Sequence, residues 1–69
     1  MIVLFAAKKL QLERKRRDLT QAMLAERADT SERYVRSLET HEKRNPSAVM
    51  VFRLSRALQL NMEDLMMVK

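Results

Sequence analysis

Glu32, Arg33, Arg36 and Ser37 lie close together in the sequence and share one face of a short predicted helix, Glu32 to Glu39. A guanidinium is a planar fork that pairs bidentately with guanine O6 and N7 in the DNA major groove, and a carboxylate can accept from cytosine N4. Arg33 and Arg36 are therefore candidate guanine readers and Glu32 a candidate cytosine reader. Each good bidentate contact is worth about 1–3 kcal/mol of discrimination. The same residues also fit an ordinary solvated helix face. In that reading Glu32 and Arg36, at i and i+4, simply pair for about 0.2–0.5 kcal/mol. Around this face, Ser31, Tyr34, Thr40, Lys43, Arg44 and Asn45 are placed to hold phosphates, which fix register but carry no sequence information.

The elements that must position this face begin at Thr20, a good N-cap and a candidate backbone contact. Gln21 follows in the first helical turn, where free backbone N–H groups attract an anion such as a phosphate. A helix over Gln21 to Ala28 puts Leu24 and Ala28 on one face, with Ala25 beside them. Ala25 is small where a crossing helix needs close approach. Asp29-Thr30-Ser31 makes the turn, with Asp29 where left-handed geometry usually calls for glycine. Ser31 caps the next helix, and Glu32 sits in its favourable first turn. Val35 and Leu38 face inward. Two helices at a steep angle across a short turn, over about residues 20–40, make a helix-turn-helix.

The rest of the chain reads as helices around this unit. Residues 2–17 form a first helix whose stripe is Ala6, Leu10, Arg14 and Arg17. Two arginines are odd on a core-facing stripe, so either Arg14 has a buried acidic partner or the stripe turns outward. Ile2–Phe5 is core, or an exposed strand or helix segment used for self-association. A polar, basic loop spans 40–46, and Pro46 disfavours helix at Asn45. Ser47 then caps a fourth helix, Ala48 to Leu58, with Ala48, Val51, Leu54, Ser55 and Leu58 in its stripe. Asn61 is a candidate cap for a fifth helix, Met62 to Val68, whose apolar end is core, interface or both.

Composition narrows the possibilities. A single domain of 69 residues buries only about 60% of its unfolded surface. Chains this small often need a disulfide, a metal or a partner. Cys is absent, and the one His, His41, gives no plausible zinc set. A second subunit is the expected support. The net charge of +5 suits a polyanion, with nucleic acid ahead of an anionic membrane. With no Gly and one Pro, the chain reads as all-helical with short turns and has no phosphate-cradling loop. Asp18, Glu26, Asp29, Glu63 and Asp64 show no paired geometry for acid/base work. The methionines read as packing or interface. No enzyme, cofactor or metal is expected. The apolar MIVLFAA run is too short for a signal-peptide core or a membrane span, and Lys8 and Lys9 follow it instead of preceding it. The expected location is cytoplasmic.

The strings LTQAMLAERA, TSERYVRSLE, KRNPS and LSRALQLNMEDL, in this order and at this spacing, resemble the phage-repressor family of helix-turn-helix regulators, the Cro/CI or Xre type. The resemblance spans about Leu10 to Leu65. It implies an all-α, compact five-helix, lambda-repressor-like domain that binds operator DNA as a two-fold dimer. By position, Gln21 would touch a phosphate, Glu32, Arg33 and Ser37 would fall where the family reads bases, and Arg36 would lie beside them. Arg14 and Glu39 match a pair that forms a buried salt bridge in relatives. Asp29 replaces the usual turn glycine, His41 stands where glycine ends the third helix, and Glu13 takes a place usually apolar.

The expectation is a sequence-specific, double-stranded-DNA-binding transcriptional repressor acting as a homodimer on a pseudo-palindromic operator. Half-sites would lie about 34–36 Å apart. The dimer contact is expected at Leu65–Val68 and the loop before the fourth helix, with Ile2–Phe5 as a second candidate. No membrane and no small-molecule ligand is expected. The chain has no room for an effector domain, so its concentration and its site would set regulation. Rival readings are a restriction–modification controller or antitoxin of the same fold, and a protein-interaction module that has lost DNA binding.

Overall fold

The computed structural model describes residues 1–40 and 45–69, so the expectations for His41, Lys43 and Arg44 lie outside the described residues. The element order is β1 (Val3–Phe5), α1 (Ala7–Arg16), α2 (Gln21–Arg27), α3 (Glu32–Glu39), α4 (Ala48–Ala57), a 3-10 turn (Met62–Leu65) and β2 (Met66–Val68). Four α-helices are present among the described residues, not five.

Both corrections fall at the ends of the chain. Residues 2–17 are not one helix: β1 is extended, and α1 starts only after Ala6. Met62–Val68 is not a helix either. It makes one 3-10 turn, then goes extended at Met66 (φ −124°, ψ 148°). The reason is mutual. β1 and β2 pair antiparallel, with Val3 opposite Val68, Leu4 opposite Met67 and Phe5 opposite Met66. Backbone bonds between Ile2 and Lys69 and from Ala6 N–H to the Leu65 carbonyl extend the ladder at both ends. A lone helix of seven residues is unfavourable because nucleation is costly. The branched and aromatic side chains of β1 suit a pleated ribbon.

The core is one cluster. Leu10 from α1, Leu24, Ala25 and Ala28 from or beside α2, Val35 and Leu38 from α3, Val51, Leu54 and Leu58 from or beside α4, and Leu65 all bury against one another. Burying each of the larger side chains contributes about 1.5–3 kcal/mol. Ala48, expected in the α4 stripe, is exposed in the first turn of its helix. Ser55, in the same stripe, is buried, and its hydroxyl donates to the Phe52 carbonyl at 2.8 Å. Thr20, Ser31 and Ser47 each cap a helix by accepting from the backbone N–H three residues on. At Asn61 the bond runs the other way: the Asp64 carboxylate accepts from the Asn61 backbone N–H.

Asp29 does take left-handed geometry, with φ 57°. Among the described residues it is one of three such positions, none of them glycine; Asp18 (φ 54°) and Gln59 (φ 58°) are the others. All three end helices in the same way. Asp18 N–H bonds to Lys15 and Leu19 N–H to Arg14; Asp29 N–H bonds to Glu26 and Thr30 N–H to Ala25; Gln59 N–H bonds to Arg56 and Leu60 N–H to Ser55. These are Schellman caps, the motif that normally places glycine at the left-handed position. A chain without glycine fills those positions with Asp twice, which tolerates the geometry, and with Gln once, which tolerates it less well. Gln59→Gly is therefore expected to stabilise the fold. The steric relief of about 1–2 kcal/mol outweighs the added unfolded-state freedom of about 0.4–1 kcal/mol. Thermal unfolding should show a midpoint a few degrees higher. A lower midpoint would show that Gln59 carries no strain.

Candidate nucleic-acid interface

α2 and α3 are held at their crossing by Leu24, Ala25, Val35 and Leu38, each 0–2% exposed. Ala25 sits at the contact, where a larger side chain would push the helices apart. The turn at Asp29 delivers Ser31, whose hydroxyl accepts from Tyr34 N–H at 3.1 Å. α3 therefore begins capped and anchored along its inner side. Its outer side carries Glu32, Arg33 and Arg36, all exposed.

A second device fixes α3 at its other end. Arg14 and Glu39 meet in a two-pronged ion pair, Nε to Oε2 at 2.7 Å and Nη2 to Oε1 at 3.0 Å. Arg14 Nη1 also donates to the Leu19 carbonyl at 2.7 Å, and Gln21 Nε2 donates to Glu39 Oε1 at 3.0 Å. The Arg14 side chain is 9% exposed and that of Glu39 1%. Two charges in such a place are costly unless every donor and acceptor is used. Among the described residues no buried side-chain nitrogen or oxygen lacks a partner. The network therefore ties α1, the start of α2 and the end of α3 into one body. The sequence raised the question at Arg14. It did not show the Leu19 carbonyl or the Gln21 amide as further partners.

The expected site residues fall into distinct environments. Glu32 and Arg36 form a loose, exposed pair at 3.4 Å, the bond that the plain solvated-face reading anticipates. At this exposure it is worth little and is easily exchanged for another partner. Arg33 has no hydrogen bond or ion pair among the described residues. Ser37 is set apart from the other three: it is 9% exposed, and its hydroxyl donates to the Tyr34 carbonyl at 2.7 Å. Ser37 thus sits at the edge of the buried side of α3, and its oxygen is occupied within the helix. Thr40 Oγ1 donates to the Arg36 carbonyl at 3.0 Å. Tyr34 packs half-buried against the core, and burial raises its phenol pKa above the ordinary value. Thr20, Ser31 and Asn45 are exposed and Gln21 is half-buried.

Glu13, where an apolar residue was the norm, is buried yet surrounded by cations. Arg17 Nη1 lies 2.6 Å from its carboxylate, Arg16 Nη1 3.2 Å and Lys9 Nζ 3.7 Å. The hydrogen bond from Arg17 holds its carboxyl below the usual range, against the opposing effect of burial. All three cations stand three or four residues away, on α1 or at its C-terminal cap, so the signal was present in the spacing.

Comparison with known proteins places this geometry. Residues 10–65 match the model of a helix-turn-helix family. The chain belongs to that family. Several solved structures share the fold. The restriction-modification controller protein C.AhdI from Aeromonas hydrophila is 27% identical over 86% of this chain and 88% of its own, with a TM-score of 0.81. SinR, a master regulator for biofilm formation whose structure was solved in complex with DNA, is 25% identical over 87% of this chain and 95% of its own, with a TM-score of 0.84. The P22 c2 repressor, solved with a synthetic operator, shares the fold at a TM-score of 0.82, with 24% identity over 88% of this chain and 91% of its own. No curated protein is similar enough in sequence to count as a relative. The helix-turn-helix family match covers the four strings that carry the phage-repressor resemblance, and the Cro/CI or Xre type stands. Among the described residues no helix is long and apolar enough to cross a membrane.

Proposed function

We infer that the chain is a DNA-binding transcriptional regulator that reads double-stranded DNA by inserting α3 into the major groove. The observation that carries this is the state of α3. It is capped at one end, clamped by a buried ion pair at the other, and exposes Glu32, Arg33 and Arg36 between them. Arg33 and Arg36 take guanine edges and Glu32 a cytosine amine. Ser37 lies at the margin of this surface and serves it by shaping the helix more than by reaching a base. Thr20, Gln21, Ser31, Tyr34, Thr40 and Asn45, with Lys43 and Arg44, hold the phosphate backbone. The Gln21 amide is oriented by Glu39, so the buried clamp also sets this backbone contact.

The regulator acts as a homodimer on a pseudo-palindromic operator, and as a repressor by occupying its site. The likeness to C.AhdI favours one subtype, a restriction-modification controller. Selection of bound duplexes from a random DNA pool tests the reading. The expected product is a consensus of two related half-sites with centres about one helical turn apart. A pool that stays random after repeated rounds, at a salt concentration where non-specific binding is weak, would leave only a protein-interaction module.

A further inference from the structure

We propose that the outer edge of β1 is where a second copy of this chain docks, strand against strand, making a four-stranded sheet across the two-fold axis. The proposal rests on the homodimer reading above and names the contact. In an antiparallel ladder, successive residues point their backbone groups alternately toward and away from the partner strand. Ile2 exchanges both bonds with Lys69, and Ala6 N–H bonds to the Leu65 carbonyl. Ile2, Leu4 and Ala6 therefore face β2, while Val3 and Phe5 turn their N–H and C=O groups outward. Among the described residues nothing bonds to those four groups. The opposite edge of the ribbon is less able to pair, because the Met66 N–H is already given to the Glu63 carbonyl.

The β1 edge lacks the usual guards against pairing. Met1 to Ala7 contains no charged side chain, no proline and no bulge, the features by which exposed edges normally resist association. Around it the apolar surface is open, with Ile2 60%, Val3 51% and Val68 63% exposed.

The occupant follows from self-complementarity. Two β1 strands run antiparallel about a two-fold axis at Leu4 if Val3 of each copy pairs with Phe5 of the other. That register uses all four outward groups of both copies. It sets the two Leu4 residues opposite each other as a non-hydrogen-bonded pair, about 4.5 Å apart at Cα. Val3 of one copy then covers Phe5 of the other on one face. On the other face Met67 and Leu4 of both copies form a continuous apolar row.

Two variants test the contact in the full chain by sedimentation, with circular dichroism as the folding control. Val3→Pro removes only an outward N–H, and proline is tolerated at such an edge position. It is expected to leave the helical spectrum unchanged and to weaken dimerisation roughly tenfold or more, the effect of two lost interstrand bonds. Leu4→Cys, in a chain with no other cysteine, is expected to form an intermolecular disulfide on mild oxidation, because the predicted separation lies within disulfide reach. Val68→Cys is not. A dimer unaffected by Val3→Pro, or one that Val68→Cys traps in place of Leu4→Cys, overturns this contact and leaves the homodimer standing. A wild-type chain that sediments as a monomer at high micromolar concentration overturns both.

Discussion

Arg14→Met alone is expected to destabilise the fold by about 3–5 kcal/mol, because it leaves the Glu39 carboxylate buried without its counter-charge. A domain of this size has a total stability of only about 3–10 kcal/mol. The variant should therefore melt far below the parent, or be largely unfolded at physiological temperature. The Glu39 side chain is 1% exposed, so water cannot replace the guanidinium without opening the core. Arg14→Met combined with Glu39→Leu should recover much of the loss, since an apolar pair of similar volume removes the desolvation penalty on both sides. Recovery should be incomplete, because the Leu19 carbonyl and the Gln21 amide lose partners that the network now supplies. The check is thermal unfolding of the three chains side by side. A single variant melting within error of the parent would show that the ion pair contributes little.

The second large effect lies on the exposed side of α3. Arg33→Ala with Arg36→Ala should leave the melting temperature nearly unchanged, since neither side chain is buried. Removing Arg36 also dissolves its exposed pair with Glu32, which costs only a few tenths of a kcal/mol. The selected operator should bind about 2–6 kcal/mol more weakly, roughly 30-fold to 10⁴-fold, if each arginine makes one bidentate base contact. Non-specific binding should fall much less, because the phosphate contacts remain. Titration of operator and scrambled duplex at one fixed salt concentration separates the two. Equal losses on both duplexes would assign the arginines to phosphates, and no loss on either would remove α3 from the interface. This pair of results contrasts with Arg14→Met, which should lose operator binding only in proportion to the folded fraction.

The middle of the chain was the most legible in the sequence. Thr20, Ser31 and Ser47 are oxygen-bearing residues just ahead of helical periodicity, and each caps its helix. Leu24, Ala25, Val35 and Leu38 sit at helical spacing, and all are buried. These are local patterns, fixed by residues within a turn or two of each other, and reading them requires no knowledge of the rest of the fold. Ser37 shows where helical spacing reaches its limit. It lies between the exposed and the buried stripes of α3, and only the packing of that helix against its neighbours decided that it turns inward. Asp18 and Gln59 were missed as left-handed positions because the usual marker, glycine, is absent, and the helix ends revealed the caps only through their backbone bonds.

At the ends of the chain a strand at Ile2–Phe5 was only one of several open readings, and the helix expected over Met62 to Val68 does not form. Val3–Phe5 and Met66–Val68 are short apolar segments, and short apolar runs fit a helix as readily as a strand. What makes them strands is that they lie side by side, more than sixty residues apart in sequence. No local window contains that fact. The sequence by itself determined the helix-turn-helix, its caps, its inner wedge and the charges on its outer face, because each depends on neighbours a few positions away. Tertiary structure alone decided that the first and last residues form one ribbon. It alone added the Leu19 carbonyl and the Gln21 amide to the Arg14–Glu39 pair and turned Ser37 inward. In each case the deciding free energy comes from burial and pairing between distant segments, and that exists only once the chain has folded.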